Sequence, residues 1–190
     1  MKKLPRRVVV GLSGASGMPY ALDLLQTLRQ AGGLEVHLVM TQGAKRVIAE
    51  ELSTSIQQIE SLAQVVHRDT DIGAAIASGS FRTAGMVVIP CSASTLSKIA
   101  HGIADNLLSR AAYVHLKEKR PLVLVPREAP LPLPSLEAMV KAAQAGAVIL
   151  PASPGFYHKP QKIEDLLGFI TQRVLDLLGI EVPKAKRWKE

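Results

Sequence analysis

Apolar residues in this chain come in short dense runs separated by longer amphipathic stretches. Runs at 7–12, 34–40, 86–89, 122–125 and 147–150 are rich in Val, Leu and Ile. They are too short for helices and nearly unbroken, which marks them as buried strands. Between them, apolar positions recur every three to four residues at 18–31, 42–52, 105–117, 135–145 and 162–178. That is the spacing of a helix with one buried face. Segment 53–83 is less regular. It reads as a polar helix near 55–64, a short extended piece at Val65-Val66, a helix near 72–77 and a loop at Ser78-Gly79-Ser80-Phe81. Strand–helix alternation implies a parallel sheet covered on both faces, so we expect one doubly wound, three-layer αβα domain over 1–190. Its ligand should sit beyond the carboxyl ends of the strands.

Composition narrows the function classes. Of 190 residues 47% are apolar, ample for a core, whereas only 4% are aromatic. The net charge of +7 invites a nucleic-acid reading. However, residues 2–7 carry four basic groups and 184–190 carry four basic and one acidic, leaving fifteen of each sign between. The excess lies in two tails, at about 1–7 and 184–190, and the body is neutral. Nucleic acid binding would want a basic face on the fold. No apolar run approaches the ~18 residues of a membrane span, and 8–12 is too short for a signal-peptide core. Cys91 alone excludes an internal disulfide and fits the cytoplasm.

The loops that follow strands carry the candidate chemistry. Gly11-Leu12-Ser13-Gly14-Ala15-Ser16-Gly17 has a GxxGxxG layout between a strand and a helix. Such a loop lets a ligand approach the backbone, though a tight serine-capped turn would look the same. Thr41 stands after the second strand, where a dinucleotide site carries an acidic residue. A short hydroxyl suits a flavin or a phosphate better. Pro90–Ser97, PCSASTLS, follows the strand at 86–89 and offers Ser92, Ser94 and Thr95 as donors. It reads equally as a phosphate cradle and as a serine cap. Arg127-Glu128 follows the strand at 122–125, and the proline-rich loop 151–160 presents Phe156 and Tyr157. Asn106, Arg110, Tyr113 and Lys117 share one helix face, either a solvated stripe or an anion contact. There is no metal-binding spacing and no GxSxG elbow. Cys91 reads as a small buried residue. Glu51 and Glu128 cannot be paired as acid and base from spacing.

Together, GLSGASG, SGSF, PCSASTLS, LLSRAA, LKEKRPLVLVPREAPL and GAVILPASPGFYHKPQ resemble the UbiX-type flavin prenyltransferases, phenylacrylic acid decarboxylase-like flavoproteins, from about Val8 to Trp188. The resemblance implies a flavodoxin-like or Rossmann-like fold and a homo-oligomer, typically a dodecamer of trimers with sites between subunits. It implies flavin contacts at Gly14, Ala15, Ser16, Thr41 and Arg127, with Ser92, Ala93, Ser94 and Thr95 around the FMN phosphate. Arg110, Lys117, Tyr157 and Arg173 match positions that bind the prenyl phosphate, and Ser16, Glu51 and Glu128 match groups implicated in the chemistry. The implied reaction joins dimethylallyl phosphate to reduced FMN. The product, prenylated FMN, serves a UbiD-type decarboxylase. No metal is required, since cations from the protein can stabilise the departing phosphate. One departure is Tyr113, where related chains carry Asp. The alternatives are a flavin-dependent cysteine decarboxylase, which should carry a PxMNxxMW-like segment where this chain has PASPGFYHKP, and a non-catalytic flavin carrier.

Overall fold

The computed structural model describes residues 6–181; apart from Arg6 and Arg7, the basic tails, with Trp188, lie outside the described residues. Six parallel strands form one sheet: β1 (Arg6–Leu12), β2 (Leu34–Met40), β3 (Val65–Arg68), β4 (Gly85–Cys91), β5 (Leu122–Pro126) and β6 (Val148–Ile149). Their order is β3-β2-β1-β4-β5-β6. Every residue of β4 and β5 is buried, as a sheet covered on both faces requires.

Side chains alternate between the two faces. Val8, Val10, Leu12, Val87, Ile89, Val123 and Val125 join one core. It is closed by α1 (Met18–Ala31), α2 (Gln42–Glu51) and α7 (Ile163–Leu177). Val9, Met86, Val88, Leu122 and Leu124 join the other. There α4 (Ala93–Ala100), α5 (Leu107–Lys117) and α6 (Leu133–Gln144) cover the sheet. At Gly11 even a Cβ would lie 3.1 Å from the Leu108 side chain, so the glycine lets α5 press against β1. No described helix is long and apolar enough to cross a membrane.

Differences from the expected elements have local causes. The helix expected at 55–64 is only α3 (Ile56–Glu60), opened by a reciprocal Ser55–Gln58 capping box and ended at Ser61. The one expected near 72–77 is a 3-10 turn at Ala75–Ala77. Before it, the Asp71 carboxylate accepts the Gly73 amide, a turn that competes with helix. The helix expected from 105 starts at Leu107, because Asn106 and Ser109 cap each other.

The helices run back against the strands, which decides which end of the molecule each residue reaches. The start of α5 is tied to the carboxyl end of β3: the Leu107 and Leu108 amides donate to Asp69, as does the Asn106 side chain. The chain just after α5 meets the amino edge, where the Arg120 guanidinium donates to the Phe81 and Gly79 carbonyls.

His115, near that edge, is 1% exposed. Its Nδ1 lies 2.7 Å from the Ala111 carbonyl and its Nε2 2.7 Å from Thr83 Oγ1. A carbonyl only accepts, so Nδ1 carries the proton and Nε2 accepts from the Thr83 hydroxyl. Burial pushes its pKa down to about 4, with the Ala111 bond opposing and the Arg120 charge assisting. Between pH 6.5 and 4 the unfolded chain therefore binds a proton that the folded chain refuses. Stability from this group is complete above pH 6.5 and is lost as pH falls. His67 is lowered in the same sense by burial and by His37. We predict that His115→Gln shrinks the stability difference between pH 7 and 4.5 by about 2–3 kcal/mol. Urea unfolding at both pH values checks this; an unchanged difference contradicts it.

Candidate functional site

The chain winds one way from β1 to β2 and the other way from β4 to β5, so the loops after β1 and β4 part at the carboxyl edge. This is the topological switch point. Ser13, fully buried, holds the two loops together. Its hydroxyl donates to the Pro90 carbonyl at 3.0 Å and accepts from the Ser92 amide at 2.7 Å. Its own amide donates to Pro90 at 3.2 Å. Sequence reading missed Ser13, although a serine directly after a buried strand must find such partners.

On one side of the parting lies the first loop. Gly14 packs on Gly43 so closely that a Cβ would stand 3.0 Å from the Gly43 Cα. Thr41 caps α2 by accepting the Ala44 amide at 3.1 Å. Gly17 takes φ 110°, left-handed, at the start of α1. The Gly17 and Met18 amides both donate to Glu51 Oε2 at 2.8 Å. Burial opposes ionisation of Glu51, but hydrogen bonds from the Ser16 side chain and the Met18 and Gly17 amides, with the Arg127 charge, hold its carboxyl below the usual range. Arg127 crosses from the end of β5 to donate to the Ser16 carbonyl at 3.0 Å.

On the other side α4 begins inside the serine run. Ser92 is its N-cap: the hydroxyl accepts the Thr95 amide at 3.3 Å and contacts Thr95 Oγ1 at 3.0 Å and Ser94 Oγ at 3.3 Å. The first turn holds no acidic residue. This contrast is informative. The positive end of α1 is already neutralised by Glu51, whereas that of α4 faces the cleft with hydroxyls and amides alone. An anion would settle at α4. That donor set fits a phosphate monoester.

The sequence-predicted residues do not all meet here. Gly14, Ala15, Ser16, Thr41, Glu51, Ser92, Ala93, Ser94, Thr95, Arg127 and Glu128 gather at the carboxyl edge, with Glu128 exposed just beyond β5. Arg110, in the first turn of α5, is exposed and makes no ion pair among the described residues. Seven residues of helix carry Lys117 about 10 Å toward the amino edge, where it pairs with Glu118 at 3.1 Å beside Gly79. Arg173 lies in the lower half of α7, paired with Asp176 at 3.5 Å, and that helix ends with Leu178 against Gly85 at the start of β4. Tyr157 stands half-exposed on its loop, edge-on to Phe169 at 5.7 Å, and His158 stacks on the same ring at 5.6 Å. Tyr113 is exposed and lies over Gly102; nothing in the structure explains why it replaces a carboxylate. Cys91 is 1% exposed and burial pushes its thiol far up, so it is no nucleophile. Among the described residues no group of three or more His, Cys, Asp or Glu could hold a metal ion.

A glycine loop, a serine-capped helix at the switch point and a hydroxyl where dinucleotide sites carry an acid are features of the mononucleotide-type, not the dinucleotide-type, α/β fold. The model of the family described as Flavoprotein matches residues 1–175. The flavin prenyltransferase UbiX of Deinococcus radiodurans is 56% identical over 186 residues, 98% of this chain and 95% of that protein. The dodecameric FMN-dependent UbiX-like decarboxylase of Escherichia coli O157:H7 superposes with TM-score 0.93 at 46% identity, over 97% of this chain and all of that one. The structure of AnUbiX (PadA1) in complex with FMN and dimethylallyl pyrophosphate does so with TM-score 0.94 at 43% identity, over 97% and 98%. The chain belongs to the Flavoprotein family, among the flavin prenyltransferases of the UbiX kind.

The Ser13 clamp is directly testable. Ser13→Ala removes both hydroxyl bonds and leaves the Ser92 amide without its partner, at a cost of about 1–3 kcal/mol. Urea unfolding at pH 7 should show that loss; a wild-type midpoint would mean that the two loops hold without the clamp.

Proposed function

We propose that this chain joins the dimethylallyl group of dimethylallyl phosphate to reduced FMN, giving prenylated FMN for a UbiD-type partner decarboxylase in the cytoplasm. The observation that carries the reading is the unequal state of the two helix N-termini at the switch point. One is closed by Glu51 and the other is open beneath Ser92, Ser94 and Thr95. It supports a terminal phosphate on α4 and the ring system over the Gly14–Ser16 loop.

In this reading Ser92, Ala93, Ser94 and Thr95 bind the FMN phosphate through amides and hydroxyls. Gly14, Ala15, Ser16 and Thr41 border the ring, and Arg127 fixes its edge while holding the Ser16 carbonyl. The reduced flavin supplies the electron-rich atoms that form the new bonds to carbon. The protein's task is to orient the donor and stabilise the charge that leaves. Breaking the allylic C–O bond builds negative charge on phosphate, which cations can bind. Arg110 serves from the α5 start. Lys117 and Arg173 lie toward the amino edge of their own chain, so they serve a neighbouring subunit, which is why the enzyme is a homo-oligomer. Tyr157, with Phe156 and Phe169, offers an aromatic wall for the dimethylallyl group. Glu51 stays ionised and fixes the Ser16 hydroxyl, while exposed Glu128 is the group free to move a proton.

Mass spectrometry of flavin extracted after reduced FMN and dimethylallyl phosphate are supplied should show the addition of one prenyl unit. Unmodified FMN throughout would leave a carrier or a cysteine decarboxylase. Glu128→Gln should slow the single-turnover absorbance change by roughly 10²–10⁴ while FMN affinity stays within a few-fold. Wild-type rates would remove Glu128 from the mechanism.

A further inference from the structure

The start of α5 is held from outside the helix by one residue, Asp69, which stands just beyond β3. Its carbonyl accepts the Leu107 amide at 2.7 Å, its Oδ1 accepts the Leu108 amide at 3.1 Å, and its Oδ2 accepts the Asn106 Nδ2 group at 3.1 Å. Asn106 is itself the N-cap: its Oδ1 accepts the Ser109 amide at 2.9 Å and the Ser109 hydroxyl at 2.7 Å. The amides of Leu107, Leu108 and Ser109, which have no partner inside the helix, are therefore all satisfied. Unlike the start of α4, this N-terminus keeps no first-turn amide for an anion. What it offers is the guanidinium of Arg110.

The reciprocal Asn106–Ser109 box would start the helix without help. What Asp69 adds is a tie in space between that start and the end of β3. The other side-chain tie there, Lys98 to Asp105 at 2.6 Å, joins two solvent-facing groups and contributes little. Arg110 follows the anchor by one turn, and its amide donates to the Asn106 carbonyl at 2.9 Å. Its exposed guanidinium makes no ion pair among the described residues, so its place is set by the backbone that carries it. We infer that Asp69 is a positioning residue for donor binding: it fixes the start of α5 through Asn106 and the first-turn amides, and so sets where the Arg110 guanidinium meets the phosphate of the prenyl donor. This role rests on the reading of Arg110 as a prenyl-phosphate contact. The Asp69–Asn106 pair is also directional, since a carboxylate only accepts and the Asn106 NH₂ group only donates. That direction makes the role testable by exchange.

The apparent KM for dimethylallyl phosphate, read from the flavin absorbance change at pH 7, tests it on the full chain. FMN titration and far-UV circular dichroism confirm that each variant is loaded and folded. Arg110→Ala should raise KM roughly ten- to a hundredfold, the loss of a charge-assisted contact. Asp69→Asn should raise it roughly three- to tenfold, with FMN affinity and the rate at saturating donor within about twofold of wild type. Whichever way the new amide turns, either the Leu108 amide or the Asn106 NH₂ group then meets another donor. Asn106→Asp should act in the same sense, because two carboxylates then face each other. The exchange Asp69→Asn with Asn106→Asp should bring KM back to within about twofold, since the amide again donates to a carboxylate that still accepts the Ser109 amide. In an Arg110→Ala background Asp69→Asn should add nothing. A raised KM in Arg110→Ala beside an unchanged KM in Asp69→Asn would overturn the role of Asp69 alone. So would an exchange that fails to restore KM, or a full additional rise in the Arg110→Ala background. An unchanged KM in Arg110→Ala would instead remove Arg110 from the donor site, and the positioning role with it.

Discussion

The parting of the chain at β1 and β4 is the constraint from which the site follows. Two strands lie side by side, buried on both faces, yet the segments leaving their carboxyl ends must go to opposite sides of the sheet. Backbone amides are left facing the gap, and a cleft opens at no cost in buried apolar contact. The Ser13 hydroxyl spans the base of that gap, bonded to Pro90 on one side and to the Ser92 amide on the other. It ties the segment after β1 to the segment after β4 at the base of the gap.

Charge then divides the cleft. Helix N-termini attract anions, and two of them, those of α1 and α4, flank the gap. Glu51 reaches from the last turn of α2 to satisfy the Gly17 and Met18 amides. This leaves the N-terminus of α4 as the one without an acidic partner and places an ionised carboxylate beside Ser16. Arg127 balances that carboxylate and ties the β5 loop to the first loop. One acidic side chain thereby closes the N-terminus of α1 and holds the serine beside it.

The five main strands and most long helices were legible because apolar period and length agree in each. The stretch 53–83 was not. Its short polar helix is held by a capping box and its second helix gives way to an Asp71 turn, both decided by single side chains rather than by periodicity. GLSGASG was legible as a loop on a strand end. PCSASTLS was not a loop, since Pro90 and Cys91 finish β4 and Ala93–Ser97 are the first turns of α4, a helix the sequence reading passed over because its hydroxyls look like a turn. Ser13 was hidden because one serine in a glycine-rich loop looks like any turn residue until its neighbours in space are known. The stripe from Arg110 to Lys117 was read correctly as one helix face. What the face did not disclose is that a helix covering a parallel sheet runs back along it, so the stripe spans the height of the sheet.

The central claim is that the open N-terminus of α4 seats the terminal phosphate of FMN. Isothermal titration of the flavin-free protein with FMN, riboflavin and FAD measures it most directly. Loss of a charge-assisted contact weakens binding by about ten- to a hundredfold. The account predicts riboflavin to bind weaker than FMN by at least that factor, and FAD to bind weaker too, because its second phosphate carries an adenylate for which the serine cradle leaves no provision. Equal affinity for riboflavin and FMN would contradict it.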